Sequence, residues 1–134
     1  MIVVDSSVAV AAALPEHEAH DHVLAAVPGG KTRAIAHVAI ETFSVLTRLP
    51  RSLRISGTDA IAYLRGAFEF PPLVLAAKRH FELLELAAAE GIGGGAVYDL
   101  IVGATAADAG ATLLTRDRRA AAAYDQVGAT YRLA

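Results

Sequence analysis

The chain alternates short apolar runs with longer segments in which apolar residues recur every three or four positions. The short runs predict strands at residues 2–4, 33–36, 112–115 and 130–133, the last at an edge of the sheet. The longer segments predict helices at residues 7–14, 16–26, 37–49, 58–68, 76–90, 96–109 and 118–125. This alternation predicts an α/β fold, a three-layer α/β/α sandwich with a mainly parallel central sheet.

Proline and glycine mark the ends of several segments. The helix at 16–26 is expected to stop at Pro28-Gly29-Gly30, and Gly110 is expected to end the helix at 96–109. Pro71-Pro72 ends the element before it, and residues 73–75 fit either a short strand or part of the next helix. No repeat or linker divides the chain, so residues 1–134 are expected to form a single domain.

Composition narrows the class of protein. Of the 134 residues, 54% are hydrophobic and 19% are charged, which excludes a disordered chain. The absence of cysteine excludes a disulfide frame and suits a reducing compartment. Residues 8–14 are apolar, but no Lys or Arg precedes Lys31, and the run is too short to cross a bilayer. We therefore expect a cytoplasmic protein with no membrane partner.

The first strand ends at an acidic residue, Asp5. In open α/β sheets, ligands bind in the crevice outside the carboxyl ends of the strands, so Asp5 is placed for chemistry. The same residue, followed by Ser6 and Ser7, is also a good N-cap for the helix at 7–14. Asp5 taken alone does not decide between these two interpretations.

Three further carboxylates recur in comparable settings. Glu41 falls on an apolar helical stripe with Val38 and Val45, where a buried carboxylate needs either a cation partner or a place at the edge of the stripe. Asp99 lies in the first turn of its helix, where a carboxylate suits the helix dipole. Asp117 follows the strand at 112–115, as Asp5 follows the first strand.

A parallel sheet would bring Asp5 and Asp117 to one edge, and helices that begin there would add Asp99 and Glu41. Carboxylates clustered in this way repel one another unless a cation neutralises them, and oxygen ligands select Mg²⁺ or Mn²⁺. Because these ions activate water and stabilise charge in phosphoryl transfer, the pattern predicts metal-dependent hydrolysis of a phosphodiester.

Basic residues stand beside the last of these acids. Arg116 is placed to hold a phosphate, and Arg118 and Arg119 either do the same or form a solvated helix start. The net charge of −2 does not indicate nucleic-acid binding, unlike the charge of a strongly basic domain. It does not exclude such binding either, because acids at a metal site contribute to the net charge.

Four motifs in order together resemble the PIN domain, in the small single-domain form of the VapC ribonuclease toxins of toxin–antitoxin pairs. These motifs are VVDSS (3–7), HVAIETFSVLTR (37–48), YDLIVGATA (98–106) and LLTRD (113–117). No single motif is specific, but their order, their surroundings and the total length match this family. The resemblance extends over essentially the whole chain.

The resemblance implies an endoribonuclease whose acidic quartet, Asp5, Glu41, Asp99 and Asp117, binds Mg²⁺ or Mn²⁺. It also implies that Ser7 is the hydroxyl residue near the first Asp. A parallel sheet, homodimerisation and inhibition by a cognate VapB-type antitoxin are implied as well. Ser7, Thr115 and Arg116 are the candidates for contact with the RNA substrate.

Two other functions remain open from the sequence. A PIN-like module could bind RNA or a protein without cutting, although four converging acids have no purpose in a purely structural role. A phosphatase of another α/β class would act on a phosphomonoester and leave RNA intact.

Overall fold

The computed structural model describes residues 1–27, 29 and 31–134. Its strands are β1 (Ile2–Val4), β2 (Thr32–Ile35), β3 (Phe68–Leu73), β4 (Thr112–Thr115) and β5 (Thr130–Leu133). Its helices are α1 (Ser6–Ala13), α2 (His20–Ala26), α3 (Ala36–Thr47), α4 (Gly57–Ala67), α5 (Ala77–Glu90), α6 (Ala96–Asp108) and α7 (Ala121–Gln126). None of these described helices is both long enough and apolar enough to cross a membrane.

The strands are short and pair in parallel, as the sequence predicts. One sheet has the order β1-β4-β5, and the Cα partners Val4 and Leu114 set the register of its central pair. A second sheet pairs β2 with β3, and β2 lies against β1. The carboxyl ends of β1 and β4 therefore lie side by side, and β5 is an edge strand as expected.

The helices form two groups, α1–α4 and α5–α7, that enclose the strands. The largest core cluster has the strand residues Val3, Ile35 and Leu113 at its centre, with side chains from both helix groups around them. A second cluster packs α5 onto α6 through Leu83 and Leu100. The predicted α/β sandwich is thus confirmed.

Strand β3 is the element that the sequence analysis missed. We predicted a helix to residue 68 and only a possible strand at 73–75, but α4 ends at Ala67 and β3 follows without a break. The strand contains Pro71 and Pro72, which cannot donate hydrogen bonds and argue against a central strand. Because β2 is the one strand that pairs with β3 in the described part of the chain, the other side of β3 needs no backbone donors, and this edge position tolerates both prolines.

Two helices begin later than predicted, because side chains shape the turns before them. The Nδ1 atom of His17 accepts a hydrogen bond from the backbone N–H of Ala19 at 3.0 Å, and α2 starts only at His20. The carboxylate of Asp117 accepts from the backbone N–H of Arg119 at 2.9 Å, and α7 starts at Ala121. The predicted helix stop at Pro28-Gly29-Gly30 includes residues 28 and 30, which lie outside the described residues.

Candidate acidic site at the edge of the sheet

Asp5 is both the cap of α1 and the buried acid at the end of β1. Only 4% of the residue is exposed. Its backbone N–H donates to the carbonyl of Leu114 at 3.1 Å, which continues the pairing of β1 with β4. Its Oδ1 accepts from the backbone N–H groups of Ser7 at 3.0 Å and Val8 at 3.3 Å. The two interpretations of Asp5 are therefore compatible, since one oxygen caps the helix while the carboxylate stays at the sheet edge.

Ser7 links Asp5 to the end of β4. Its hydroxyl donates to Oδ1 of Asp5 and accepts from the backbone N–H of Arg116 at 2.8 Å. These two bonds use the proton and one of the two lone pairs of the hydroxyl, so Ser7 orients the acid and holds the backbone of Arg116 in the same network. Ser7 and the backbone of Arg116 thus lie together at this edge of the sheet.

Thr115 does not fit the predicted contact with the substrate. The residue is fully buried, and its hydroxyl oxygen accepts from the backbone N–H of Asp117 at 3.0 Å. A buried hydroxyl at the end of β4 cannot reach a ligand in solution. Thr115 therefore shapes the turn that presents Asp117, whose side chain is 31% exposed and lies 3.4 Å from Nε of Arg119.

Tyr124 is a functional candidate that the sequence analysis missed. Its hydroxyl donates to Oδ2 of Asp5 at 2.8 Å, although the residue is only 1% exposed and lies on α7. Burial and the nearby charge of Asp5 raise the pKa of this hydroxyl well above its usual value, so it stays protonated and donating. A tyrosine in a short alanine-rich helix resembles an ordinary core residue, and no local signal marks it.

Glu41 lies at the border of the apolar face of α3, which is one of the two arrangements that the sequence analysis allowed for this carboxylate. The buried positions of this helix are Val38, Thr42 and Leu46. The side chain of Glu41 is 32% exposed, and its Oε1 lies 3.5 Å from Nε2 of His37. Burial first, and then the negative charges of Asp99 and Asp5, raise the pKa of Glu41 to about 7.

Asp99 occupies the first turn of α6, as predicted. Burial first, and then the charges of Asp117 and Asp5, raise the pKa of Asp99 to about 6, while Arg119 opposes this rise. The charges of Asp99 and Asp5 also contribute to the raised pKa of Glu41. The four acids named from the sequence therefore interact electrostatically at this edge. Four separate elements supply them.

The residues of this edge fit a divalent cation in their chemistry. All four acids offer carboxylate oxygens, the ligands that Mg²⁺ and Mn²⁺ prefer. A cation would relieve the repulsion that, after burial, contributes to the raised pKa values of Glu41 and Asp99. Within residues 1–27, 29 and 31–134, no three acidic or histidine side chains are close enough to share one ion. The side chains would therefore have to draw together on an ion, and those of Glu41, Asp99 and Asp117 are only partly buried.

The fold and this edge of acids define the class of protein. The PIN domain family model matches residues 2–126, and the chain belongs to that family. Within it, the chain is similar to proteins named ribonuclease VapC40 from two Mycobacterium tuberculosis strains, CDC 1551 / Oshkosh and ATCC 25618 / H37Rv. It is 43% identical to each over 127 residues, which is 95% of this chain and 94% of theirs. It is also 40% identical to ribonuclease VapC27 of the H37Rv strain, over 95% of this chain and 92% of that protein.

Proposed function

We propose that this chain is a divalent-metal-dependent endoribonuclease, the toxin of a VapC-type toxin–antitoxin pair. The observation that carries the proposal is the grouping of Asp5, Glu41 and Asp99 from three elements at the carboxyl edge of a parallel sheet, where burial and then the charge of Asp5 help to raise the pKa values of Glu41 and Asp99. The relatives named ribonuclease, similar over nearly their full lengths, support the same activity.

We assign Asp5, Glu41, Asp99 and Asp117 to binding Mg²⁺ or Mn²⁺. Such an ion, when bound, lowers the pKa of water and stabilises charge on the oxygens of the phosphodiester that is hydrolysed. The hydrogen bonds on both oxygens of Asp5 hold this acid in one orientation before any ion arrives. Pre-organisation of this kind lowers the cost of assembling a site.

The basic residues next to Asp117 supply positive charge to the RNA backbone. The backbone N–H of Arg116 donates to the hydroxyl of Ser7, which supports a role for Arg116 next to the acids. The side chain of Arg119 is 93% exposed while its Nε lies 3.4 Å from Asp117, so its guanidinium can exchange that weak contact for a phosphate.

The test is cleavage of a total RNA pool by the purified protein with Mn²⁺ or Mg²⁺, with EDTA as the metal-free control. We expect discrete fragments from the wild type and none from Asp99→Asn. Asp108→Asn is the matched control, because Asp108 is an exposed acid at the other end of α6, 3.0 Å from Arg79. It should cut like the wild type.

Three results would contradict this function. Cleavage that persists in Asp99→Asn or in EDTA would show that the acids and their metal ion take no part in the reaction. RNA that is bound but not cut by folded, metal-loaded protein would favour a non-cleaving module. Hydrolysis of p-nitrophenyl phosphate without hydrolysis of RNA would favour a phosphatase.

We further propose that the protein partners are a second copy of the chain and a VapB-type antitoxin. An apolar groove of about 670 Å³ between α3 and α4, lined by Ile40, Phe43, Ile61 and Phe70, offers surface that such partners would cover. Light scattering over a range of concentrations tests the homodimer. We also propose a cytoplasmic location, because RNA is the proposed substrate. We propose a single domain over residues 1–134, because the family match spans residues 2–126.

A further inference from the structure

A cleft of about 460 Å³ opens directly beside Glu41, along the exposed side of α3. Its walls include Ile40, Ser44 and Val45 from α3, Arg48 just after that helix, and Tyr98 from the start of α6. The volume lies within the range of small-ligand pockets. Because Glu41 belongs both to this cleft and to the acidic edge, whatever occupies the cleft lies next to the bond that is cut.

Tyr98 is an aromatic surface held in place at this cleft. Its ring stacks on the ring of His37, with centroids 5.4 Å apart and an angle of 13° between the planes. The residue nevertheless remains 53% exposed. An exposed tyrosine whose orientation is fixed by a neighbour loses little freedom when a further ring stacks on it.

His37 adds an unsatisfied polar atom beneath this ring. Its Nε2 is buried and has no hydrogen-bond partner among the residues that the structure describes, although Oε1 of Glu41 is 3.5 Å away. Because Nε2 is buried, it is not a contact for a ligand, and the role of His37 in the cleft is to carry the ring on which Tyr98 stacks.

The opposite end of the cleft is basic. Arg48 caps the carboxyl end of α3, and its Nη1 lies 3.4 Å from the hydroxyl of Ser44. The cleft thus runs from an acid at the candidate centre to an exposed guanidinium about two helical turns away. A phosphate one step along an RNA strand from the cut would be repelled by the acids and attracted by Arg48.

We propose that this cleft is a nucleotide subsite for single-stranded RNA. A base next to the cleaved phosphodiester stacks on Tyr98, and its phosphate contacts Arg48. The inference rests on the proposed ribonuclease function and names how the substrate is held. A chain of net charge −2 with acids at its candidate centre needs binding energy for RNA that does not depend on charge. Base stacking on an aromatic ring supplies such energy.

The experiment measures the affinity of the full chain for a short, fluorescein-labelled, single-stranded RNA of mixed sequence. Fluorescence anisotropy in EDTA keeps the RNA uncut. We expect Tyr98→Ala to weaken binding on the order of 10-fold, and Tyr98→Phe to bind like the wild type because the ring remains. Phe81→Ala is the matched control, since Phe81 is an aromatic residue on α5 that is 70% exposed and lies outside the cleft.

The contact of Arg48 with a phosphate is tested by salt dependence. For single-stranded RNA, Arg48→Ala should reduce the slope of log affinity against log salt by about 0.7, the value for one lost phosphate contact. Arg51→Ala is its control, because Arg51 is also exposed, lies three residues further on and does not line the cleft. An equal effect of both variants would show only general charge attraction and would overturn the contact.

A second measurement separates this inference from the proposed function. Calorimetric affinity for Mn²⁺ should be unchanged in Tyr98→Ala, which shows that Asp99 is undisturbed. A wild type that cuts RNA, together with a Tyr98→Ala variant that binds RNA as tightly, would overturn the subsite alone. A change of oligomeric state with unchanged RNA affinity would assign the cleft to a protein interface, and a wild type that neither binds nor cuts RNA would overturn both proposals.

Discussion

The hydroxyl of Tyr124 donates a hydrogen bond to Oδ2 of Asp5 at 2.8 Å, across 119 residues of sequence. Ser7 and Val8 hold the other oxygen of the same carboxylate through their backbone N–H groups. Asp5 is thus fixed from both sides, by the helix that it caps and by a helix near the other end of the chain. One acid of the candidate site is therefore oriented by the packing of the whole fold.

Removing that hydroxyl should weaken metal binding. Tyr124→Phe leaves the ring in the core but releases Oδ2 of Asp5, and we expect about a 10-fold loss of Mn²⁺ affinity, as is typical when the partner of a metal ligand is lost. Isothermal titration calorimetry measures it. The free energy of unfolding should also fall by about 1 kcal/mol, the contribution of one buried hydrogen bond.

The matched control is Tyr63→Phe. The hydroxyl of Tyr63 donates to the carbonyl of Ala9 at 2.7 Å, so this variant also loses one hydrogen bond but does not touch an acid. It should lose similar stability and keep its Mn²⁺ affinity. Equal affinities in the two variants would show that Tyr124 has only a structural role.

Gly103 permits the close packing that places Tyr124. A Cβ atom added at Gly103 would lie 2.8 Å from Cγ2 of Val127 and 2.9 Å from Cδ1 of Tyr124. Gly103→Ala should therefore destabilise the protein by about 1–3 kcal/mol, the usual cost of overpacking. Chemical denaturation compares it with Gly66→Ala in α4, where a Cβ meets nothing within 4 Å and should stabilise the helix by about 0.5–1 kcal/mol. A neutral Gly103→Ala would show that α7 moves easily.

The raised pKa of Glu41 predicts how the metal-free protein responds to pH. Because the folded-state pKa of about 7 exceeds the ordinary value of 4.5, the folded state binds the proton more tightly, and this contribution to stability is lost as pH rises from about 4.5 through 7. Glu41→Gln removes that contribution. Thermal melts in EDTA between pH 5 and pH 8 should show a shallower decline for Glu41→Gln than for the wild type, and parallel curves would refute the shift.

Two acids of the same site should respond oppositely to removal in the metal-free protein. At pH 8 Asp99→Asn removes the cost of burying a charge, and then the repulsion from Asp117 and Asp5, and should stabilise the fold by about 1 kcal/mol after allowance for solvent screening. Asp5→Ala removes the cap of α1 and should cost about 1–2 kcal/mol. Urea denaturation in EDTA distinguishes them. At an Mn²⁺ concentration that saturates the wild type, Asp99→Asn should instead be less stable than the wild type. The variant binds the ion poorly and therefore gains little stability from it.

Local patterns were sufficient for most of the fold. The strands at 112–115 and 130–133 were predicted to the residue, and the helix carrying Asp99 to within one residue, because apolar periodicity and glycine ends are short-range signals. The strand at Phe68–Leu73 was not predicted, since two prolines contradict strand formation until pairing with β2 alone makes an edge position available. The predicted role of Thr115 failed for a related reason, because only packing buries that hydroxyl.

The sequence by itself determined which acids follow strands or begin helices, and hence that Asp5, Asp99 and Asp117 gather at one edge. The tertiary structure alone decided that Tyr124 bonds to Asp5, that Glu41 lies beside His37, and that Tyr98 stacks on His37 at a cleft. The physical reason is the separation along the chain over which each interaction acts. Periodicity and capping act over a few residues, whereas these contacts join elements far apart in the chain and exist only once the helices have packed.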